Sequence, residues 1–453
     1  MTVTEAGKAL RSGKISCAQL VEDCLARIEL LNPDLNAFIT VTAQEARERA
    51  AELDEELSNG LDRGPLHGIP IAHKDLICTK NQRCTSGSKL FEDFVPDYDA
   101  TVAIKLQDAG AISVGKTGLH ELAYGITSSN PHFGFIRNPH DRERIPGGSS
   151  GGSGVAVATG MALMATGTDT GGSIRIPASF CGVVGLKPTY GRVSRYGVKA
   201  LGFSLDHIGP LSQSVRDAAI ALHAMAGYDD RDPSSSREPV FDYVPPKPCS
   251  IQGLTIGMPR NYFLEGVVPE VRAAIEQMGR HAESLGARVL PVKVPDLESL
   301  NVVARTILLA EASAVFEPYL SQRDKFGDDV MALLDQGRLV PATDYINAQR
   351  LRRLFLQEWR LIFSAVDCLF TPTTPIPAPL IGQKQVEVDG QKMDARLATT
   401  RFMRGINVLG LPAISLPCAK TAAGLPIGLQ IVGRAFEEHT VLRVAAAIED
   451  VIQ

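Results

Sequence analysis

The chain has 453 residues, 44% apolar and 21% charged, enough for one large core or two or three ordinary domains. Its net charge of −5, with no run of five or six like charges, excludes the clustered basic surface of a nucleic-acid binder. Eight scattered cysteines without a CxxC pair predict free thiols in a reducing cytoplasm, not a disulfide framework or a zinc site.

The first residues, MTVTEAGKALRSGK, lack the apolar core of a secretory signal. Residues 1–60 read as N-terminal helices. Leu20, Val21, Cys24, Leu25, Ile28 and Leu31 recur at spacings of three and four, and 42–58 is rich in helix formers behind a threonine cap. Then the texture changes. GIPIA, at 68–72, is short, apolar and bounded by Gly and Pro, as in a buried strand. A helix is predicted over 102–108 and a strand over 111–115. VAVATGMALMA, at 155–165, is too short to span a bilayer and reads as a buried helix. Residues 229–250, rich in Pro, Ser, Asp and Arg, read as a surface excursion between two halves. LTIGMP, a helix over 269–285 and ARVLPVKV form a βαβ unit. Long helices near 302–320 and 343–365 precede three short apolar runs, DCLFTPTTP, LPAISLPC and PIGLQIVG. This alternation predicts an α/β fold with a mostly parallel or mixed sheet.

The most unusual stretch is PGGSSGGSG, at 146–154. It runs straight into apolar sequence, so it is not a flexible linker. It has no lysine beside Gly152 and no strand before it, so it is not a phosphate loop. GGSSG matches GxSxG around Ser149, but a nucleophile elbow also needs a preceding apolar strand, a His and an acid. His207, His223, His281 and His439 follow without a neighbourhood that singles one out. Serine–lysine chemistry remains. Lys74 ends the apolar GIPIAHK, where burial would lower its pKa and make it a base. A surface lysine paired with Asp75 is the ordinary alternative. In GTDTGGSIRIP, at 167–177, Gly171 and Gly172 precede Ser173. Such a turn can gather backbone N–H groups as an oxyanion hole, or be a plain tight turn.

Taken in order, Lys74, PGGSSGGSG and GTDTGGSIRIPASFCGVVGLKPTYGRVS closely resemble the amidase signature family, which uses a Ser–cis-Ser–Lys triad. Further segments extend the resemblance over most of the chain, among them HGIPIAHKDLI, GFSLDHIGPLSQSVRDAA and GLPAISLPCAKTAAGLPIGLQIVG. Residues 230–365 are least characteristic. The resemblance implies a single amidase domain over 1–453, with the signature core in 61–228 and a second half in 251–453. It implies the family's fold, a large mixed, mostly parallel twisted sheet covered by helices on both faces.

It implies these roles. Ser173 is the nucleophile, Ser149 the bridging serine after a cis peptide from Gly148, and Lys74 the base. The N–H groups of Thr170, Gly171, Gly172 and Ser173 form the oxyanion hole. Ser150, Asp169 and Arg175 hold the loops, and Tyr124, Gly125 and Ile126 lie against substrate. Two classes exist in the family: hydrolases of free amides, and the glutaminase component of the glutamyl-tRNA amidotransferase (its A subunit), which releases ammonia from glutamine for a partner protein. Where that component carries an arginine for the glutamine carboxylate, FGDDVMALLDQG has Met331, Ala332 and Leu333. Where it carries an acid, this chain has Thr400, with Arg401 and Arg404 close behind. The expectation is therefore a cytoplasmic, stand-alone hydrolase of a rather apolar amide, anilide, ester or carbamate. It would need no cofactor and no metal, and would bind neither nucleic acid nor membrane; a homodimer is left open. The glutaminase component of the amidotransferase is the alternative.

Overall fold

The computed structural model describes residues 1–388 and 390–452. One sheet of eleven strands runs through it. In chain order these are β1 (Phe38–Val41), β2 (Pro70–Lys74), β3 (Ile112–Thr117), β4 (Met164–Asp169), β5 (Val184–Lys187), β6 (His207–Ser212), β7 (Thr255–Pro259), β8 (Arg288–Val292), β9 (Cys368–Pro372), β10 (Ala413–Lys420) and β11 (Pro426–Gly433). Across the sheet the order is β1-β3-β2-β4-β6-β5-β10-β11-β9-β7-β8.

Helices cover both faces, as expected. Gly428 and Gly433 show it: a Cβ on Gly428 would meet Ser179 of the Arg175–Cys181 helix, and one on Gly433 would meet Val441 of the Glu438–Ile452 helix. An odd spacing along a strand places the two on opposite faces. Most strands are accordingly buried on both sides.

The sheet is mixed, but less parallel than the alternation of helices and strands suggests. Parallel pairing is confined to β3-β2-β4 and β9-β7-β8, the latter containing the predicted βαβ unit. The strands from β4 to β9 across the centre pair antiparallel. A strand's own sequence does not record its direction; the connection does, and β10 and β11 are joined by a short turn.

Two further elements differ from expectation. FITV, within the predicted N-terminal helices, is edge strand β1. The run at 155–165 is not one helix. The Gly151–Thr159 helix stops at Gly160, which adopts a left-handed φ of 71° and donates its N–H to Val157 O; β4 begins at Met164. The start of that helix explains its glycines. A Cβ on Gly152 would lie 2.4 Å from Ala37 O and 2.5 Å from Gly118 O, so the backbone can pack there only without a side chain. Residues 229–250 form neither helix nor strand, although Tyr243 within them is buried. One helix, Leu297–Tyr319, is long and apolar enough to cross a membrane; here it packs against the Asp328–Arg338 and Ala342–Ala365 helices.

Candidate active site

β2 and β4 are parallel neighbours, so their C-terminal ends lie on one edge of the sheet. Lys74 closes β2, and Thr168 and Asp169 close β4. Lys74 is fully buried. Its Nζ lies 2.8 Å from Ser149 Oγ, 2.9 Å from Ser150 Oγ and 2.8 Å from Thr168 Oγ1. Asp75 is not its partner: that carboxylate accepts from the Thr85 N–H at 3.0 Å and from the Thr85 hydroxyl.

A buried lysine facing three hydroxyls and no carboxylate is poorly placed to hold a proton. Burial pushes its pKa down to about 7, against the more distant pull of Asp169 and Asp206. Ser150 spends its own proton on the Thr168 carbonyl, 3.2 Å away, and so accepts from Nζ. The three hydroxyls can accept all three N–H groups of an ammonium, and in the neutral amine the lone pair takes one of these directions.

The Gly148–Ser149 peptide is cis. Its loop is clamped on both sides: Ser128 Oγ donates to Gly147 O at 2.8 Å, and the His120 N–H to Ser149 O at 3.1 Å. The Ser150 N–H donates to Ser173 O at 3.2 Å, which ties the two serine-bearing loops together. Ser173 is buried to all but 5%. No hydrogen bond joins its hydroxyl to that of Ser149 among the described residues.

The Ser173 loop is organised by a buried ion pair. Arg175 donates from Nε to Asp169 Oδ2 at 3.0 Å and from Nη2 to Oδ1 at 2.9 Å. The same guanidinium reaches Gln430 Oε1 at 2.7 Å and Asn407 Oδ1 at 2.6 Å, and Asn407 Nδ2 donates to Asp169 O and Oδ1, each at 2.8 Å. Burial works against the Asp169 charge, but Arg175 outweighs it and holds the carboxyl far below its usual range. Asp206 pins the other end of the loop, accepting from Thr170 Oγ1 at 2.6 Å.

Of the four N–H groups expected to form an oxyanion hole, one is already engaged. The Gly172 N–H gives its hydrogen to Asp169 Oδ1 at 2.7 Å. Its φ of +119° and a would-be Cβ only 2.7 Å from Met403 Cγ explain the glycine instead. The N–H groups of Thr170, Gly171 and Ser173 have no acceptor among the described residues.

The three residues expected against substrate part company. Tyr124 lines a cavity of ≈ 220 Å³ with Leu308, Leu309, Leu333, Arg305, Arg396 and Arg404. The Gly125 α-carbon abuts the His120 ring, which comes within 2.0 Å of a would-be Cβ, and Ile126 backs onto Gly148. The residues expected to face an apolar substrate divide as well. Met331 is buried core, and Thr400 turns its hydroxyl to Arg396 O at 2.9 Å. Leu333 does face the cavity, but three arginines face it too. A second cavity, ≈ 230 Å³, opens beside Thr168, Thr170 and Asp206.

Several residues in the cluster escape a reading of the sequence. Thr168, Asn407, Gln430 and Asp206 each hold part of it. A signal existed in Gln430, a polar side chain inside the apolar run PIGLQIVG. His207 lies behind Asp169, bonding carbonyls of Leu205 and Asp169 through Nδ1, while His223, His281 and His439 bond or stack elsewhere.

A family sequence model described as Amidase matches residues 19–442. The glutamyl-tRNA(Gln) amidotransferase of Syntrophus aciditrophicus has an A subunit that is 40% identical over 474 residues, covering 99% of this chain and 96% of that protein. Among solved structures, a protein from a vestigial complex that reveals the origins of an s-triazine catabolic enzyme has a TM-score of 0.95 at 36% identity, covering 100% of this chain and 98% of that one. The native peptide amidase of Stenotrophomonas maltophilia has a TM-score of 0.87 at 33% identity, covering 100% and 97%.

The buried ion pair makes a direct prediction. Arg175→Met strands the Asp169 carboxylate in the interior and should lower stability by about 3–5 kcal/mol, measured by urea unfolding. A loss below about 1 kcal/mol, the range of an exposed pair, would mean that the loop does not depend on it.

Proposed function

The chain belongs to the amidase signature family, and on that premise we propose that it cleaves the C–N bond of a small amide through an acyl-enzyme on Ser173. The observation that carries this reading is the 2.8 Å contact between Ser149 Oγ and a buried Lys74 with a pKa of about 7. Neutral Lys74 takes the proton of Ser149 as Ser149 takes that of Ser173. Ser173 Oγ adds to the amide carbon, and the carbonyl oxygen becomes an oxyanion. The unengaged N–H groups of Thr170, Gly171 and Ser173 receive it; one such donor typically contributes ~3 kcal/mol to lowering the barrier. The relayed proton returns to the nitrogen as the C–N bond breaks and the amine leaves. Water then adds to the acyl carbon and gives its proton to the relay; the ester C–O bond breaks, Ser173 Oγ recovers the proton through Ser149, and the carboxylic acid leaves.

Two substrate readings share this chemistry. One is a stand-alone hydrolase of free amides, which the likeness to a peptide amidase supports. The other is the ammonia-releasing component of a glutamyl-tRNA amidotransferase. The curated relatives support the second more strongly, with 40% identity over 99% of the chain.

Three measurements test these readings. Ser173→Ala should reduce hydrolysis of a simple aryl amide to background while the circular dichroism spectrum is unchanged; retained turnover would remove Ser173 as nucleophile. Because the neutral form of Lys74 is the base, kcat/KM should rise about tenfold per pH unit below pH 7 and level off above it. A profile flat across the neutral range would contradict that role. Finally, ammonia release from glutamine is assayed with and without amidotransferase partner proteins. Release that requires the partners identifies the amidotransferase component; amide hydrolysis by the chain alone, indifferent to them, identifies the stand-alone enzyme.

A further inference from the structure

The Tyr124 cavity gathers more positive charge than its lining offsets. Arg305, Arg396 and Arg404 line it together, and none forms an ion pair among the described residues. Arg305 donates to Gln336 Oε1, a neutral acceptor, at 3.0 Å. Two buried polar atoms there lack a hydrogen-bond partner among the described residues: Arg396 Nε and the Tyr124 hydroxyl. Burial first, and then the neighbouring arginines, press the Arg404 pKa down to about 10. One carboxylate lines the cavity, Asp394, and it accepts the Leu397 N–H at 2.9 Å as a helix cap. Asp329, close enough to be felt by Arg396, is bonded to His120 Nε2 at 3.0 Å. Three cations thus face a pocket lined by a single carboxylate, Asp394. Like charges that outnumber their counter-ions are unfavourable unless a ligand supplies the balance.

The cavity adjoins the reacting loop. Arg404 Cγ lies 3.4 Å from where a Cβ on Gly171 would sit, and Gly171 supplies one of the free N–H groups beside Ser173. The remaining wall is aliphatic, formed by Leu308, Leu309, Leu333 and Leu397. A ligand that fits has its amide at Ser173, a short hydrocarbon run along the leucines, and an anionic end among the guanidinium groups.

We propose that Arg305, Arg396 and Arg404, with the Tyr124 hydroxyl, anchor a carboxylate at the far end of the substrate, so that the preferred substrate is a small anionic amide carrying no ammonium group. Planar guanidinium groups and a phenol are matched to carboxylate oxygens. An ammonium at the same place would be repelled. This rests on the amide-hydrolase reading above and narrows it.

The test uses three matched amides on the isolated full-length chain: glutaramate, which ends in a carboxylate; pentanamide, its neutral counterpart; and glutamine, which adds an ammonium to glutaramate. The expected order of kcat/KM places glutaramate first, roughly ten- to a hundredfold above pentanamide. Arg404→Met, and independently Arg305→Met at the exposed mouth, should collapse that ratio, chiefly through KM, and Arg404→Lys should restore part of it. Equal turnover of glutaramate and pentanamide would overturn the proposal, as would faster turnover of glutamine or a ratio indifferent to the arginines. Calorimetric binding of glutaramate to Ser173→Ala decides the cavity without turnover. Saturable binding that is lost when Arg404→Met is added supports the anchor even if no amide is cleaved, a result that would sink only the hydrolase reading. No saturable binding overturns the anchor.

Discussion

Everything at the centre of this protein depends on keeping one amine out of water. Lys74 is fully buried, and its three contacts are all uncharged hydroxyls. Each of those hydroxyls comes from a part of the chain that must be brought there: Ser149 and Ser150 from a loop, Thr168 from the neighbouring strand. The parallel pairing of β2 and β4 sets the strand ends side by side, and the glycines at the start of the Gly151–Thr159 helix let its backbone close over them. A carboxylate in contact would hold the lysine protonated and end the base role proposed for it. The described residues supply none.

The same few residues treat a second buried charge in the opposite way. Asp169, next in sequence to Thr168, is saturated by Arg175 and Asn407 and kept ionised. It acts as a fixed acceptor that takes up the N–H groups of Gly172 and Ile174. With Gly172 engaged in this way, the N–H groups of Thr170, Gly171 and Ser173 stay without an acceptor among the described residues. Withholding counter-ions lowers the lysine pKa, and supplying them shapes the loop. The arginines beside Tyr124 are a third case, three cations that share one lining carboxylate, Asp394.

Relatives and geometry speak to different parts of the problem. Similarity at 33–40% identity over nearly the whole chain concerns the shared chemistry, yet those relatives carry different activities in their names. In the proposed reaction, substrate choice belongs to pocket side chains drawn from segments far apart in sequence: Tyr124, Arg305, Leu333 and Arg404.

The sequence by itself determined which residues the proposed reaction draws on and their order, because these are local facts. Two glycine–serine turns and a lysine at the end of an apolar strand can each be read within a short stretch. It determined most strands and helices, since hydrophobic periodicity and capping act over short stretches. Strand direction, the sharing of the Gly172 N–H with Asp169 and the hidden edge strand FITV lay beyond it. So did the charge of the pocket. The segment around Met331 carries no cation and suggested an apolar substrate, whereas the cations reach the same cavity from Arg305 on one helix and from Arg396 and Arg404 far along the chain. Only the tertiary structure could decide that, because electrostatics depends on distance in space, and sequence separation does not measure it.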